Sequence, residues 1–455
     1  MKILVIGGVA AGTKAAAKLK REQPDAQVVL YSKGKDISYA GCGLPYYLGG
    51  SIETREDLIV NTPQKYAGLT RVEVHTGKEA VALDALARTV TLRDTDTGAE
   101  QTEAYDKLIL AVGAEPFVPD VPGTGLPGVF KMRTPDDAIA ARAWAEQNGC
   151  RRAVVVGGGF IGLEVAENLL AKGLSVTVVD MASQLMPNIF DPEMAGYVKL
   201  QLQAKGVRVL TGTALQGITG TDRAAGVTTD GGTLPADLVV LAIGIRPATA
   251  FLQGTSLEMV KGAILVDDKQ ATNLPDVYAV GDCAMVHNAL TGKPQWSAMG
   301  STANLTGRCL ARNLSGEPSP YGGCLGTGVV KLLDNLCAGR TGLTEAQAKD
   351  AGFDPVSVVC VTEEFTDGYK IYLGGRWGKR IAHGHPMDKI FTSEEEVLDI
   401  VERAILFFRD EGITGERFAD TIDRLGFDYV QNKLLTAPVD KETVLQKKVK
   451  GGATC

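Results

Sequence analysis

The sequence predicts an α/β fold with two βαβ units in parallel sheets, followed by an α+β region at the C-terminal end. Two segments repeat the order strand, glycine-rich turn, helix, strand, which is the pattern of a βαβ unit. Further apolar runs that end in small residues add strands to these sheets, and the last part of the chain carries a helical pattern. The repeated turn is the main basis for this fold class.

The two units share one layout: an apolar strand, a turn with two or three glycines, a helical stretch and a second apolar strand. In the first unit these parts are residues 2–6, 7–12, 13–21 and 26–31. In the second they are residues 153–156, 157–162, 163–172 and 175–179. Glycines let such a turn approach a pyrophosphate closely, and the N–H groups at the helix start attract it, so each unit is expected to bind one dinucleotide.

The second unit carries the complete fingerprint, with Gly157, Gly159 and Gly162 in its turn. Its second strand ends at Asp180, where a carboxylate accepts hydrogen bonds from a ribose diol. Residues 181–184 contain no Arg or Lys to receive a 2′-phosphate, so NADH is favoured over NADPH. A solvated strand end is the alternative interpretation of Asp180.

The first unit departs from the fingerprint at two positions. Val9 stands at the middle glycine position, and Ser32, followed by Lys33, stands where an acidic residue usually holds the ribose. Ser32 can still make one hydrogen bond, so a dinucleotide remains the expectation. Two further strands end nearby in the fold: one at Ala111-Val112-Gly113, the other at Gly281-Asp282, where the carboxylate is placed to bind a chain of hydroxyls.

Composition and charge exclude several classes of protein. The chain has 455 residues, a net charge of −7 and a pI near 5.4, which gives no basic surface for nucleic acid or anionic membrane. Its eight cysteines are irregularly spaced, without a CxxC pair, so we expect reduced thiols and no metal. The apolar start is too short for a signal sequence, and no run reaches the roughly 20 residues of a membrane span. A cytoplasmic protein is expected.

One cysteine lies in an unusual setting, the stretch SYAGCGLPYY at residues 38–47. Cys42 lies between Gly41 and Gly43, which we expect to keep the approach to its sulfur open, and Pro45 stiffens the segment that follows. A thiolate in such a position can attack an external sulfur or a peroxide. A buried, inert cysteine is the alternative.

Six motifs together resemble, in order and spacing, the FAD-dependent pyridine nucleotide–disulfide oxidoreductases: GGVAAG, SYAGCGLPYYLGG, AVGAEP, GGGFIGLEVAENL, AIGIRP and ATNLPDVYAVGDCA. The resemblance covers residues 1–360. It implies an FAD domain at residues 1–115 and 246–322, an inserted NAD domain at 116–245 and a C-terminal interface domain at 323–455. Two-cysteine members use a CxxxxC pair, but Tyr47 occupies that position here, so the resemblance is to the single-cysteine branch.

By this resemblance Cys42 is the catalytic thiol, its sulfur lies against the flavin, and electrons reach it from NADH through FAD. Phe160 resembles the aromatic residue that covers the flavin until NADH displaces it, and Glu164 lies one helical turn further, near the flavin edge. A core aromatic is the alternative for Phe160. The implied cofactor-binding residues are Gly7, Val9, Ala10, Ala11, Gly12, Ser32, Lys33, Ala80, Val81, Ala111, Val112, Gly113, Gly157, Gly159, Phe160, Ile161, Gly162, Glu164, Asp180, Gly244, Gly281, Asp282 and Ala298.

The branch contains coenzyme A disulfide reductases, NADH oxidases, NADH peroxidases and persulfide or polysulfide reductases. The oxidase and peroxidase members carry a histidine at the position of Ala10, and alanine has no proton to offer. This difference favours a disulfide, persulfide or polysulfide as the substrate. An NADH oxidase and an electron-transfer subunit of a larger metalloenzyme, in which Cys42 is vestigial, stay open as alternatives.

The C-terminal region resembles the end of siroheme sulfite and nitrite reductases, in residues 369–378, in the helical segment that begins at Ser393 and in residues 415–434. The paired cysteines that hold siroheme and its cluster are missing, so no metal is expected. This region is predicted either to form a homodimer interface or to dock a redox protein. His383, His385 and Cys455 are minor candidates for proton or electron transfer. One helical face is predicted to carry Val397, Ile400, Val401, Ala404, Ile405 and Phe408.

Overall fold

A β-branched apolar run at the start of the chain forms the central strand of a five-stranded parallel sheet, because only a strand buried on both faces accommodates such a run. In the computed structural model, residues 1–333, 336–357, 369–373, 384–413 and 415–436 are described. The chain divides into two compact units, Met1–Val356 and Ser357–Cys455.

The first parallel sheet has the strand order β20-β7-β1-β2-β3. Helix α1 follows β1 after the first glycine turn. It packs against α7, where Gly307 of α7 is in contact with the backbone of Ala11. An antiparallel meander of β4, β5 and β6 lies beside the sheet. The bounds are β1 (Lys2–Ile6), α1 (Ala10–Glu22), β2 (Gln27–Ser32), α2 (Leu44–Gly49), α3 (Pro63–Thr70), β3 (Glu73–Thr76), β4 (Lys78–Asp84), β5 (Thr89–Asp94), β6 (Glu100–Ala104), β7 (Lys107–Leu110), β20 (Val277–Ala279) and α7 (Gly300–Leu314).

The second parallel sheet repeats this plan with the order β12-β11-β10-β16-β9. Its helix α5 follows β10 through the second glycine turn, and an antiparallel meander of β13, β14 and β15 accompanies it. The bounds are β9 (Val129–Phe130), α4 (Pro135–Gln147), β10 (Arg152–Val156), α5 (Phe160–Ala171), β11 (Ser175–Val179), α6 (Pro192–Ala204), β12 (Arg208–Leu210), β13 (Leu215–Thr219), β14 (Gly226–Thr229), β15 (Gly232–Pro235) and β16 (Leu238–Leu241).

The chain enters and leaves the second sheet through one antiparallel pair, β8 (Ala114–Pro116) and β17 (Ile245–Pro247). Arg246 lies opposite Glu115 in this pair and forms a salt bridge of 2.8 Å with it. The rest of the first unit comprises a four-stranded sheet, a hairpin and a short helix. Their bounds are β18 (Met259–Val260), β19 (Ala263–Leu265), β21 (Ala284–His287), β22 (Pro294–Trp296), β23 (Gly328–Leu332), β24 (Leu336–Arg340) and α8 (Glu345–Asp350).

The hairpin of β23 and β24 belongs to the same hydrophobic core as the second parallel sheet. Val330 and Leu332 of β23 are buried together with Leu163 and Leu169 of α5, and Leu44 of α2 completes the cluster. Three parts of the chain that are far apart in sequence therefore meet along α5, which positions the site described below.

The second unit has a hairpin of β25 (Tyr369–Leu373) and β26 (His385–Phe391) and three helices, α9 (Glu394–Glu411), α10 (Phe418–Leu425) and α11 (Phe427–Thr436). The predicted helix is present as α9, but its predicted apolar face is wrong in part. Ile400 is buried, whereas Val401 and Ile405 are 45% and 64% exposed. The core-facing residues instead follow the positions Val397, Ile400, Ala404 and Phe407.

Some residues for which the sequence makes predictions lie outside the described parts of the chain: residues 374–378, His383 and Cys455. His385 begins β26, where its ring lies 5.1 Å from that of Phe427. Within the described residues, no helix is long and apolar enough to cross a membrane.

Candidate active site

The first glycine turn is closed so tightly that its glycines cannot be replaced. Gly7 has a φ of +117°, and a Cβ on it would lie 2.6 Å from the carbonyl carbon of Ala111. A Cβ on Gly12 would lie 3.0 Å from the carbonyl carbon of Gly7. The turn therefore brings the start of α1, where Val9 precedes Ala10, against the end of β7.

The start of α1 fits an anionic ligand. Among the described residues no side chain caps its free N–H groups, and its first turn holds no acidic side chain. Ala10 and Ala11, with their small methyl groups, leave these N–H groups accessible. Such a helix start can bind an anion, for example the pyrophosphate of a dinucleotide.

The strand end at Gly281 and Asp282 forms the opposite wall of this turn. A Cβ on Gly281 would lie 2.8 Å from the Cβ of Ala11, so only glycine allows this approach. Asp282 is held by its backbone, whose carbonyl accepts a 2.7 Å hydrogen bond from Trp296 Nε1. Burial raises the pKa of the Asp282 carboxyl, and Arg133, with Nη2 at 4.0 Å, partly offsets this effect. A buried carboxylate with one weak ion pair is suited to accepting ligand hydroxyls.

The remaining residues predicted for this site surround the same turn. Ser32 is buried at the end of β2, beside Gly8, whereas Lys33 points outward and pairs with Glu79 at 2.8 Å. Gly113 takes a φ of +71°, where a Cβ would lie 3.2 Å from Arg133 Nη2. The others are Ala80 and Val81 at the bulge of β4, Val112 after β7 and Ala298 before α7.

The second glycine turn reproduces the first. A Cβ on Gly157 would lie 2.5 Å from the carbonyl carbon of Ala242, and one on Gly162 would lie 3.0 Å from that of Gly157. Gly159 differs, because a Cβ there would meet no described heavy atom within 4 Å. This glycine is not required by packing within the described part of the chain, and its open space is where a bound dinucleotide fits.

Asp180 follows β11 and is part of the turn itself. Its Oδ2 accepts a 2.6 Å hydrogen bond from the Gly158 N–H, and its Oδ1 accepts one of 2.7 Å from the Ala182 N–H. Each oxygen keeps a further lone pair, so the carboxylate can also accept from a ribose. Two more predicted residues flank the turn: the side chain of Ile161 is partly exposed on α5, and Gly244 has a φ of +118° after β16.

Cys42 is exposed and lies in a single 3₁₀ turn, Gly41–Gly43, that leads directly into α2. A Cβ on Gly41 would meet no described heavy atom within 4 Å, as expected for an open approach. The prediction that Gly43 also keeps the approach to the sulfur open is wrong, because this residue is buried and a Cβ on it would lie 2.9 Å from Ile52 Cδ1. Gly43 serves packing, and Gly41 alone keeps the sulfur accessible.

The helix that follows Cys42 is fixed to the second sheet. A Cβ on Gly49 of α2 would lie 2.8 Å from the Cβ of Asn168 of α5, so the two helices are in close contact. Arg142 of α4 donates hydrogen bonds of 3.1 to 3.3 Å to the carbonyls of Tyr47, Ile52 and Glu53, and its guanidinium lies 4.8 Å from the centre of the Tyr47 ring. The segment that follows Cys42 is therefore fixed by α4 and α5.

Phe160 and Glu164 occupy the first turns of α5, on the side of Cys42. A Cβ on Gly328 of β23 would lie 3.1 Å from Phe160 Cζ, so this ring is half-buried against the hairpin. Burial, with a smaller effect of the neighbouring Glu167, raises the pKa of Glu164 to about 7. Burial also raises the pKa of Tyr46, and the carboxylates of Glu164 and Glu167 add to this effect.

Three residues at this site were not predicted from the sequence. Arg133 donates from Nε to the Ala114 carbonyl at 2.8 Å and faces Asp282. Tyr39 lies close to Arg133, with its hydroxyl 3.5 Å from that residue's carbonyl oxygen, and burial raises the pKa of this tyrosine. Tyr46 is the third. Only its position four residues after Cys42 could have identified it, whereas Arg133 is far from the motifs in sequence.

Within the described residues, no group of three or more His, Cys, Asp or Glu side chains could hold a metal ion. Six cysteines there are free thiols. They are Cys42, Cys150, Cys283, Cys309, Cys324 and Cys337.

Known proteins resemble both parts of the chain. The sequence profile of the pyridine nucleotide-disulphide oxidoreductases matches residues 1–303, and that of the nitrite and sulphite reductase 4Fe-4S domain matches residues 337–442. An NADH oxidase of Methanocaldococcus jannaschii is 35% identical over 83% of each chain. An NAD(P)H coenzyme A polysulfide/persulfide reductase of Pyrococcus horikoshii is 33% identical over 78% of each.

A solved structure agrees with these relatives. The NAD-dependent persulfide reductase from A. fulgidus superposes with a TM-score of 0.74 at 32% identity and covers 84% of this chain and 70% of its own. The predicted α/β fold and the predicted cofactors, FAD and NADH, are confirmed at the level of the family. With its profile matched from residue 1 to residue 303, the chain belongs to the pyridine nucleotide-disulphide oxidoreductases.

Proposed function

We propose that this protein transfers electrons from NADH, through FAD, to a disulfide, persulfide or polysulfide, with Cys42 as the redox-active thiol. The observation that carries the proposal is the setting of Cys42: its thiol is exposed, with Gly41 leaving the approach open. No other described cysteine lies in this segment, so its sulfur is available to an external partner.

The two glycine turns supply the cofactor sites of this proposal. Gly7, Gly12 and Asp282 would hold FAD, and the uncapped start of α1 would be available to its pyrophosphate. Gly157, Gly159, Gly162 and Asp180 hold NADH. When bound, FAD supplies the chemistry that converts a hydride into an electron pair for sulfur.

The protein holds Cys42 in place and controls the proton transfers at its sulfur. The ionised Sγ attacks one sulfur of the substrate, the S–S bond breaks, and the leaving sulfur takes the electron pair and a proton. The resulting mixed disulfide or persulfide on Cys42 is then reduced with two electrons that originate from NADH. Over the whole cycle NADH, one proton and one disulfide give NAD⁺ and two thiols.

The nature of the substrate follows from the relatives and from one residue. The Pyrococcus relative is named for a coenzyme A polysulfide or persulfide, which suggests a substrate of that class here. The Methanocaldococcus relative is named an NADH oxidase, so oxygen is the competing acceptor. Ala10 at the start of α1 has no proton to donate to an oxygen species, which favours sulfur.

The C-terminal region supports a second candidate, an electron-transfer subunit. Its match to the nitrite and sulphite reductase 4Fe-4S domain indicates descent from a module of a redox enzyme. In this case the flavin passes its electrons to a docked redox protein, and Cys42 is dispensable. The small-molecule substrate remains the primary proposal, because Cys42 is held in place by α2 and Arg142.

Two measurements test the proposal. Replacement Cys42→Ser is expected to abolish NADH-dependent reduction of coenzyme A disulfide and polysulfide and to leave reduction of an artificial dye intact. Anaerobic titration with NADH is expected to give a long-wavelength thiolate-to-flavin band in the wild type and none in Cys42→Ser. Unchanged disulfide reduction by Cys42→Ser would support the electron-transfer subunit, and recovery of an iron–sulfur partner from the native cell would identify its acceptor.

We further propose a cytoplasmic homodimer with the domain limits 1–115 and 246–322, 116–245, and 323–455. The six free thiols fit a reducing compartment. Leu325, which precedes the β23–β24 hairpin, and Val329 of β23 are 45% and 72% exposed and provide apolar surface for a second copy. Light scattering on the purified protein measures its mass directly.

A further inference from the structure

The loop 181–190, which follows Asp180, packs against the second glycine turn. The N–H of Met186 in this loop donates a 3.2 Å hydrogen bond to the Gly158 carbonyl. A Cβ on Gly158 would also lie 2.5 Å from Leu185 Cδ2. Because the turn and Asp180 are the parts proposed to bind NADH, the loop borders the place expected for the adenosine half of that ligand.

The end of this loop is fastened to α8. Asp191 lies between the loop and α6, and an aspartate at such a position usually bonds an N–H group of its own helix. Among the described residues its carboxylate makes no such bond to α6. Instead, Oδ1 accepts a 2.9 Å hydrogen bond from the Glu345 N–H at the start of α8. This bond joins two parts of the chain that are 154 residues apart in sequence.

Gln347 of α8 makes a second contact with the loop. Its Nε2 donates a 3.2 Å hydrogen bond to the Asn188 carbonyl. Its Oε1 accepts from Arg340 Nη1 at 2.9 Å and from the Thr344 N–H at 3.2 Å. Arg340 also donates from Nε to the Gly326 carbonyl at 3.1 Å. The oxygen of the Gln347 amide is thus held by β24 and by the start of α8, which directs its NH2 group to the loop.

Resting on the NADH site of the function proposed above, we propose that α8 positions the loop 181–190 for the adenosine half of NADH, with Asp191 and Gln347 as the positioning residues. The loop is held by the glycine turn through Met186 and by α8 through Asn188 and Asp191. A loop that is ordered before NADH binds loses less conformational entropy in the complex, so the nucleotide binds more tightly. Both residues act through the loop, so the rate of hydride transfer in the complex is expected to stay the same.

The proposal assigns a role to the C-terminal part of the chain. Helix α8 lies within residues 337–442, which match the nitrite and sulphite reductase profile. The segment that follows the β23–β24 hairpin is therefore expected to support nucleotide binding in the first unit, Met1–Val356.

Stopped-flow reduction of the flavin by NADH tests the proposal, because it measures the dissociation constant of NADH and the limiting rate of reduction separately. Asp191→Ala removes the carboxylate that bonds to α8. Gln347→Glu keeps an acceptor for Arg340 but has no side-chain N–H to donate to Asn188. Each variant is expected to bind NADH about 3- to 10-fold more weakly, the equivalent of one hydrogen bond, with a limiting rate within about 2-fold of the wild type.

A shorter hydride donor separates positioning of the loop from general damage to the site. Reduced nicotinamide mononucleotide lacks the adenosine half of NADH, so both variants are expected to bind it as the wild type does. Lys349→Ala is the matched control on α8, because its exposed side chain pairs with Glu345. This control is expected to leave both dissociation constants unchanged. Asp191→Asn keeps one acceptor oxygen and is expected to recover most of the affinity for NADH.

Equal losses of affinity for the two donors would overturn the proposal, because they would indicate that the whole site is disturbed. Unchanged affinity for NADH in either variant would overturn it as well. If Asp191→Ala does not fold, as judged from its flavin content and urea unfolding, Gln347→Glu decides alone. Failure of the underlying NADH site has a different signature, because Gly159→Ala in the second turn would then bind NADH as tightly as the wild type.

Discussion

Gly49 of α2 lies so close to Asn168 of α5 that a single added methyl group would stand 2.8 Å from the Asn168 Cβ. This contact joins the segment that carries Cys42 to the helix that carries Phe160 and Glu164. The segment that follows the thiol is thereby fixed to a helix of the other parallel-sheet unit.

Gly49→Ala is expected to destabilise the protein by about 1–3 kcal/mol, because overpacking forces α2 and α5 apart. Disulfide reduction is expected to fall more than dye reduction, since Cys42 moves with α2. Urea unfolding and the two activities measure these effects. Gly68→Ala in α3 is the control, because its Cβ would meet no described atom within 4 Å; that variant is expected to be at least as stable as the wild type. Equal stability of both variants would contradict the close contact.

Gly159→Ala is expected to fold normally and to bind NADH at least about 10-fold more weakly, because its methyl group would enter the space left for the dinucleotide. The Michaelis constant for NADH and the flavin content measure this change. Gly162→Ala provides the contrast: its methyl group would strike the Gly157 carbonyl, so that variant is expected to lose stability. Unchanged NADH affinity in Gly159→Ala would show that the second glycine turn does not contact NADH.

The double variant Asp180→Ala, Met181→Arg is expected to lose preference for NADH and to gain activity with NADPH. The carboxylate proposed to accept from the ribose is removed, and a guanidinium is added for the 2′-phosphate. A hydrogen bond to a charged group contributes about 1.5–3 kcal/mol, so the Michaelis constant for NADH is expected to rise about 10- to 100-fold.

Steady-state kinetics with both nucleotides provide the measurement for Asp180. Met181→Arg alone, which keeps the carboxylate, is the control and is expected to retain NADH activity. An unchanged Michaelis constant for NADH in the double variant would mean that Asp180 only supports the turn through Gly158 and Ala182.

Glu164 is expected to make stability depend on pH between about 4.5 and 7. Its pKa is raised from 4.5 to about 7 in the folded protein, so the native state binds more protons than the unfolded state in this interval. The stabilisation is complete below the unfolded pKa and is lost as pH rises through 7. Urea unfolding of the flavin-loaded protein at pH 5 and pH 8 measures this effect. The free energy of unfolding of Glu164→Gln is expected to change less between these pH values than that of the wild type.

Glu146 is the matched control for this prediction. The ion pair with Lys172 lowers the pKa of Glu146 in the folded protein. Its pH dependence is therefore opposite to that of Glu164, and it stabilises the folded protein at pH values above its unfolded pKa. Because this contribution is lost only as pH falls below about 4.5, Glu146→Gln is expected to lose a similar amount of stability at pH 5 and at pH 8. If Glu164→Gln shows the wild-type pH dependence, another group is responsible for it.

Residues that act locally were predictable from the sequence. β11 begins and ends at the predicted residues because its β-branched run is bounded by turn residues. Both glycine turns were predicted from their glycine spacing, which is needed where two backbone segments approach each other closely. The exposed thiol of Cys42 followed from its own segment.

Residues that depend on distant partners were not predictable. Arg133 reaches Asp282 only because the second sheet is inserted beside the first, and Gly43 is buried only because Ile52 folds back on it. The face of α9 was misassigned because Val401 and Ile405 continue an apolar stripe that the core of its unit does not use.

The agreement between the two turns extends to the distances around them. A Cβ added to Gly7 would lie 2.6 Å from the carbonyl carbon of Ala111, and one added to Gly157 would lie 2.5 Å from that of Ala242. A Cβ added to Gly12 or to Gly162 would lie 3.0 Å from the carbonyl carbon of the first glycine of its turn. The two turns thus share one backbone geometry, so each parallel-sheet unit has the same close approach between a strand end and a helix start, whose N–H groups can bind an anion.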